Sequence, residues 1–250
     1  MRLQVILETT EEDRALIALS SAIHSLVTAQ DLDDPALTHL GSIGDLVQIP
    51  TVGLEKVKID LEGGDQFMRH AMEDNPDTDW HGKEIHAFWD EPTRTIVLNK
   101  DLVRTPRMIT TITHELRHAL DELKSGSYPG GAARYFTPKK KEHRIDDPYS
   151  TVQYRAKPAE INARFVEILH ILSKRVPRAY QNLEPSEIKP QLSTDFKNLL
   201  TKYEIADLFP EKTKSPDYKR LVKRAYDFMD KELSNLELQP TATKHATGNW

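Results

Sequence analysis

The residues best suited to chemistry lie in one short segment, His114-Glu115-Leu116-Arg117-His118. On an α-helix, residues four positions apart lie one above the other on the same face, so both imidazoles can bind one metal ion. The carboxylate of Glu115 lies beside them, where it can take a proton from an ion-bound water. The segment therefore predicts a catalytic zinc site in which His114 and His118 are ligands and Glu115 is the general base.

A helix over residues 106–124 is expected to position these side chains. Thr105 can supply a capping hydroxyl, Pro106 suits the first helical position, and Ser125-Gly126 indicates the end. At about 100° per residue, five apolar side chains cluster on the side nearly opposite to the two histidines: Ile109, Ile112, Leu116, Leu120 and Leu123. Such a helix buries one face in a core and turns the other toward a cleft, and a chance match has no reason to obey this phasing.

The third ligand must be a carboxylate or another imidazole, because the chain has no cysteine. A catalytic zinc ion usually binds three protein ligands and keeps a fourth position for water. Glu160 is the favoured residue, since it lies in the first turn of a helix that begins at Pro158. The small Ala163, one turn later, allows this helix to approach the histidine-bearing one closely. His143, in a basic loop, is the alternative ligand, and a plain surface role for Glu160 stays open.

Asp121 follows His118 by three residues on the same helix face. It could approach the ion, orient an imidazole through a hydrogen bond, or be an exposed helix acid. The extended metzincin pattern needs glycine at position 121 and histidine at position 124. Asp121 and Lys124 stand there instead, which excludes that class.

At these residues the chain resembles the gluzincins, metallopeptidases with His-Glu-x-x-His on one helix and a zinc-binding glutamate on a later one. The segment from Pro158 to Phe165 is similar to the Glu-x-x-Asn/Ala-x-x-Phe helix of compact ImmA/IrrE-type peptidases. The pattern Tyr-x-x-x-Pro-x-Glu-Ile-x-Ala, which begins at Tyr154, resembles small peptidases encoded by bacteriophages and mobile elements. Tyr154 is a candidate donor to the oxyanion, and a structural role in packing its loop is the alternative.

The resemblance implies an α+β, zincin-like fold, in which a small, mostly antiparallel sheet packs on the active-site helix and a helical part follows. It implies that Thr95–Leu98 is the edge strand along the cleft. An edge strand can bind an extended peptide by strand addition, so the expected substrate is a polypeptide. The function expected is that of a zinc-dependent metallopeptidase. The alternative is a non-catalytic structural or interaction protein, of phage origin, that retains the fold and the zinc site.

The remaining elements follow from periodicity and from breaker residues. Strands are expected at 2–8, 57–61, 85–89 and 95–98, the last two forming a hairpin; helices are expected from Thr9 to Val27, from Pro158 to before Pro177, and around 193–208 and 215–236. Residues 28–53 are ambiguous, and the polar stretch 65–82 contains a turn at Asn75-Pro76. This organisation predicts a zincin-like domain over 1–176, with 1–53 uncertain, a helical region over 177–238 and a disordered tail over 239–250.

The composition excludes several classes of protein. With 29% charged residues, a mean hydropathy of -0.58 and no long apolar run, the chain is expected to be soluble and not to associate with membranes. Its short apolar N-terminal stretch predicts no signal peptide, so a cytoplasmic location is expected, or a virion-associated one for a phage-encoded chain. The net charge of -5 argues against a nucleic-acid partner, and the basic run 139–144 is interpreted as a solvated loop. The oligomeric state stays open.

Overall fold

The computed structural model describes residues 2–74, 84–125, 158–180, 183–203, 205 and 216–237. The fold is α+β. Its helices are α1 (Arg2–Thr28), α2 (Ile43–Leu46), α3 (Gly64–Asp74), α4 (Met108–Ser125), α5 (Pro158–Ala179), α6 (Pro185–Lys202) and α7 (Pro216–Glu237). Its strands are β1 (His39–Ser42), β2 (Lys58–Glu62), β3 (Ala87–Asp90) and β4 (Thr95–Asn99). The chain divides into two compact units, Met1–Glu167 and Ile168–Trp250, and the candidate site lies wholly within the first.

The four strands form one mixed sheet in the order β1-β2-β4-β3. β1 pairs with β2 and β3 with β4 in antiparallel fashion, whereas β2 and β4 are parallel. The predicted hairpin of β3 and β4 is confirmed, but the prediction that Thr95–Leu98 is an edge strand was wrong. β4 is central because β2 pairs along its other side, and every residue of β4 is buried, as in a strand covered on both faces. The edge strand beside α4 is β3.

Helix α4 packs between the sheet and α1. Its apolar face is buried as the phasing predicts, with Leu116 and Leu120 at most 1% exposed, and the helix is unbroken from 112 to 120. Its start differs from the prediction by two residues. The hydroxyl of Thr105 donates to the carbonyl of Leu102 at 2.7 Å and does not cap α4, which therefore begins at Met108.

Other elements also differ from the prediction. The prediction of a strand at 2–8 was wrong, since α1 begins at Arg2. A short alternating run that contains good helix formers does not distinguish a strand from a helix. The ambiguous stretch 28–53 contains β1 and α2, and α3 occupies part of the stretch in which only a turn was expected. The turn at Asn75-Pro76 and the tail lie outside the described residues.

In the second unit, the C-terminal helices lie close to their predicted places. The helix expected around 193–208 runs from Pro185 to Lys202, and that expected around 215–236 from Pro216 to Glu237. The helix that was expected to end before Pro177 continues to Ala179. Proline already has a helical φ, and so close to the end of the helix it removes only one hydrogen bond. Among the helices that the structure describes, none is long and apolar enough to cross a membrane.

Candidate metal centre

The structure brings together the three predicted ligands, His114 and His118 from α4 and Glu160 from the first turn of α5. The Nε2 atoms of the two imidazoles are 3.0 Å apart. Oε2 of Glu160 lies 3.6 Å from Nε2 of His114 and 3.4 Å from Nε2 of His118. Three donor atoms from two helices therefore converge on one point.

This triangle of donors fits a divalent cation such as zinc. Ligands about 2.0–2.2 Å from a tetrahedral ion stand about 3.3–3.6 Å from one another, close to the separations observed. In addition, Oε2 of Glu160 is buried and has no hydrogen-bond partner among the described residues. A buried carboxylate oxygen without a hydrogen bond is costly, and a cation bound there would remove the cost. Imidazole and carboxylate ligands also suit other first-row metals, so the donor set is not specific to zinc.

The two oxygens of the Glu160 carboxylate face different partners. Oε1 accepts a hydrogen bond from Nε of Arg164 at 2.5 Å, one helical turn further along α5, and Oε2 is left to the histidines. Burial alone would raise the pKa of Glu160, but the charges of the nearby His114 and His118 outweigh it and hold that pKa well below its usual range. Glu160 is therefore a carboxylate, the form that binds a metal.

A second glutamate of α5 lies beside the other nitrogen of His114. Oε2 of Glu167 is 3.6 Å from Nδ1 of His114, so the ring stands between Glu167 and Glu160. Burial would lower the pKa of His114, but these two carboxylates outweigh it and raise the pKa well above its usual value. Glu167 was not among the predicted site residues. Its spacing from Glu160 and Arg164, at i, i+4 and i+7 on one helix face, is the signal that could have found it.

Glu115, the predicted general base, is buried beside the two histidines. Its pKa is raised by burial, an effect that the charges of His114 and His118 oppose. It accepts a hydrogen bond from the backbone N–H of Trp89 on the edge strand β3. The indole Nε1 of Trp89 donates in turn to Oε2 of Glu122 at 2.5 Å, so two acids of α4 contact one residue of the edge strand.

Asp121 joins the two ligand-bearing helices. Its Oδ2 accepts from Nδ2 of Asn162 on α5 at 2.8 Å, and its Oδ1 accepts from Arg117 at 2.5 Å. Arg117 also pairs with Glu12 and lies 3.9 Å from Asp13, both on α1. Among the described residues, the polar partners of Asp121 named here are Arg117 on α4 and Asn162 on α5, and neither is an imidazole. It is therefore Glu167, rather than Asp121, that contacts the second nitrogen of a predicted ligand.

Two predicted residues, Tyr154 and His143, lie outside the described residues. Comparison of the chain with protein-family models, with curated proteins and with solved structures finds no match in any of the three.

Proposed function

We propose that this chain is a zinc-dependent metallopeptidase in which His114, His118 and Glu160 hold the ion and Glu115 is the general base. The observation that carries the proposal is the convergence of two imidazole nitrogens and one buried carboxylate oxygen on one point, beside the buried Glu115. That oxygen has no hydrogen-bond partner among the described residues. A purely structural zinc site needs no such base, because all its positions are taken by protein ligands.

Bound zinc lowers the pKa of a water molecule and polarises a carbonyl group. Glu115 would accept the proton of that water at its carboxylate and return it to the leaving amine. Burial raises the pKa of Glu115, which is the direction that favours a carboxylate that takes a proton and later returns it. Tyr154 remains the proposed donor to the oxyanion, with loop packing as its alternative role.

The edge strand supports a polypeptide substrate. Asn99 N–H donates to the His86 carbonyl at 2.8 Å, so His86 faces β4 and alternation along the strand turns the backbone groups of Trp89 away from β4. The Trp89 N–H that contacts Glu115 therefore lies on the free side of the sheet. An extended peptide that pairs with this side would bring a backbone carbonyl close to the base. This arrangement, a sheet edge beside the helix with both histidines, is why we interpret the first unit as zincin-like.

A non-catalytic protein that retains the metal site is the second candidate. The hydrogen bond from Trp89 N–H to Glu115 favours it, because a carboxylate already paired to the backbone can serve to fasten α4 to β3. The two candidates differ in what Glu115 does, and a single substitution can separate them.

The experiment is cleavage of a diverse peptide mixture by the zinc-loaded chain, followed by mass spectrometry. We expect the wild type to cut, and Glu115→Gln to lose cleavage while its zinc content and its melting temperature stay unchanged. Glu73→Gln, at an exposed acid of α3, is the matched control and is expected to cut like the wild type. Cleavage by Glu115→Gln at the wild-type rate would remove Glu115 as the base. A zinc-loaded wild type that cuts none of the peptides would favour the non-catalytic candidate.

A further inference from the structure

One face of α5 holds three charged groups directed at the metal centre. Glu160 supplies the third ligand, Arg164 contacts its Oε1, and Glu167 faces Nδ1 of His114 at 3.6 Å. The spacing of these residues, at i, i+4 and i+7, places all three on the side of α5 that faces α4. Glu167 is only 7% exposed, although carboxylates are rarely buried unless they are paired.

The position of Glu167 affects which nitrogen of His114 is free. A histidine binds a metal as the neutral imidazole, which carries its proton on one nitrogen and a lone pair on the other. A neighbouring carboxylate favours the proton on the nitrogen that faces it. Glu167 faces Nδ1, whereas Nε2 faces Glu160 and His118. The tautomer favoured by Glu167 is therefore the one that leaves the Nε2 lone pair for an ion.

We propose that Glu167 is a positioning residue for the metal site: it holds the proton of His114 on Nδ1 and fixes the ring with Nε2 toward the ion. The inference rests on the proposed function, because it requires that His114 bind a metal. It assigns α5 two tasks, to supply one ligand and to orient a ligand of α4. Groups that contact the second nitrogen of a metal-binding histidine typically account for 10- to 100-fold in metal affinity.

The test uses two substitutions of similar size. Glu167→Gln keeps an oxygen that accepts from Nδ1–H, whereas Glu167→Met fills the same space without an acceptor. We expect the zinc dissociation constant, measured by competition with a chelator, to rise about 10- to 100-fold in Glu167→Met. In Glu167→Gln it should stay within a few fold of the wild type. A residue that only fills space would give the same affinity with Met as with Gln, and that result would overturn the proposal.

The structure supplies a matched control in a second carboxylate–histidine pair. Oε1 of Glu62 lies 3.0 Å from Nδ1 of His70, which is not a proposed ligand. Glu62→Met removes the same chemistry at this pair and should leave the zinc dissociation constant unchanged. An equal loss in Glu62→Met and Glu167→Met would mean that both act through general stability, and it would overturn the positioning role.

A spectroscopic measurement gives a second readout. In the zinc-loaded, ¹⁵N-labelled wild type, NMR should show a slowly exchanging Nδ1–H on His114, and this signal should weaken or vanish in Glu167→Met. Binding of zinc by the wild type without that signal would overturn the inference, even where Glu167→Met does not fold. A wild type that binds no zinc would overturn the proposed function itself, so the two failures are distinguishable.

Discussion

Oε2 of Glu160 lies 3.4 Å from Nε2 of His118, although the two residues belong to different helices. This oxygen is buried, and no described group donates a hydrogen bond to it. Buried carboxylate oxygens without a hydrogen bond are costly, so the presence of one beside two imidazoles indicates a place for a cation. A cation bound there would join α4 to the first turn of α5.

Glu160→Ala should weaken zinc binding on the order of 100- to 1000-fold, because a structural zinc site yields about 10–16 kcal/mol from four ligands, or roughly 2.5–4 kcal/mol each. The measurement is the zinc dissociation constant by chelator competition. His143→Ala, at the alternative ligand, is the control and should bind zinc nearly as the wild type does. The opposite ranking would move the third ligand into the basic loop and end the gluzincin interpretation.

Arg164→Met should weaken zinc binding by about 10-fold, because Oε1 of Glu160 loses its hydrogen-bond donor. That hydrogen bond holds the carboxylate with Oε2 toward the histidines. Lys223→Met provides a matched control: its amine pairs with Asp227 at the same i, i+4 spacing, but on the exposed surface of α7. This variant should bind zinc like the wild type. Unchanged affinity in Arg164→Met would show that Arg164 does not fix the carboxylate.

The ion pairs of Glu12 should make stability fall in acid. Burial would raise the pKa of Glu12, but Arg117 and Lys124 outweigh it and lower the pKa below its usual value of 4.5. A group with a lowered folded-state pKa stabilises the fold above the unfolded-state pKa, and that contribution is lost as the pH falls through the folded-state value. Glu12→Gln should therefore reduce the free energy of unfolding by about 1–3 kcal/mol at pH 7. The difference from the wild type should shrink below about pH 4.

The control for this prediction is Glu11→Gln. Glu11 lies next to Glu12 in the chain, but its side chain is 65% exposed and pairs with Arg14 at 3.4 Å. Exposed pairs of this kind contribute little, so Glu11→Gln should unfold like the wild type in urea at both pH values. A loss in Glu12→Gln that is equal at pH 7 and in acid would contradict the assignment of the charge effect to Glu12.

Local periodicity was sufficient to predict which residues form the candidate metal site. The i, i+4 spacing of His114 and His118, opposite to the apolar stripe of α4, fixed which face is buried. Pro158 placed Glu160 in the first turn of α5, and the structure brings it to the histidines. The phase of α4 and the start of α5 depend on residues that are neighbours in the chain, which is why the sequence alone could reveal them.

The features that were missed depend on contacts between distant segments. β4 is central because β2 pairs with it in parallel, and nothing within residues 95–98 states which strand lies alongside. The short helix α3 has few apolar positions, and Phe67 becomes part of a core only through its packing with Phe88 and Val97. Glu167 acquires its role from the rotation of α5 relative to α4, which turns it toward His114.

The most direct test of the metal centre is a metal analysis of the purified wild-type chain, prepared without chelators and then dialysed against zinc. We predict one zinc ion per chain, and none in the double variant His114→Ala/His118→Ala, provided that this variant keeps the wild-type circular dichroism. X-ray absorption of the loaded protein should show nitrogen and oxygen ligands at about 2.0–2.2 Å. A wild type without stoichiometric zinc after dialysis, or a folded double variant with as much zinc as the wild type, would contradict the proposed metal centre.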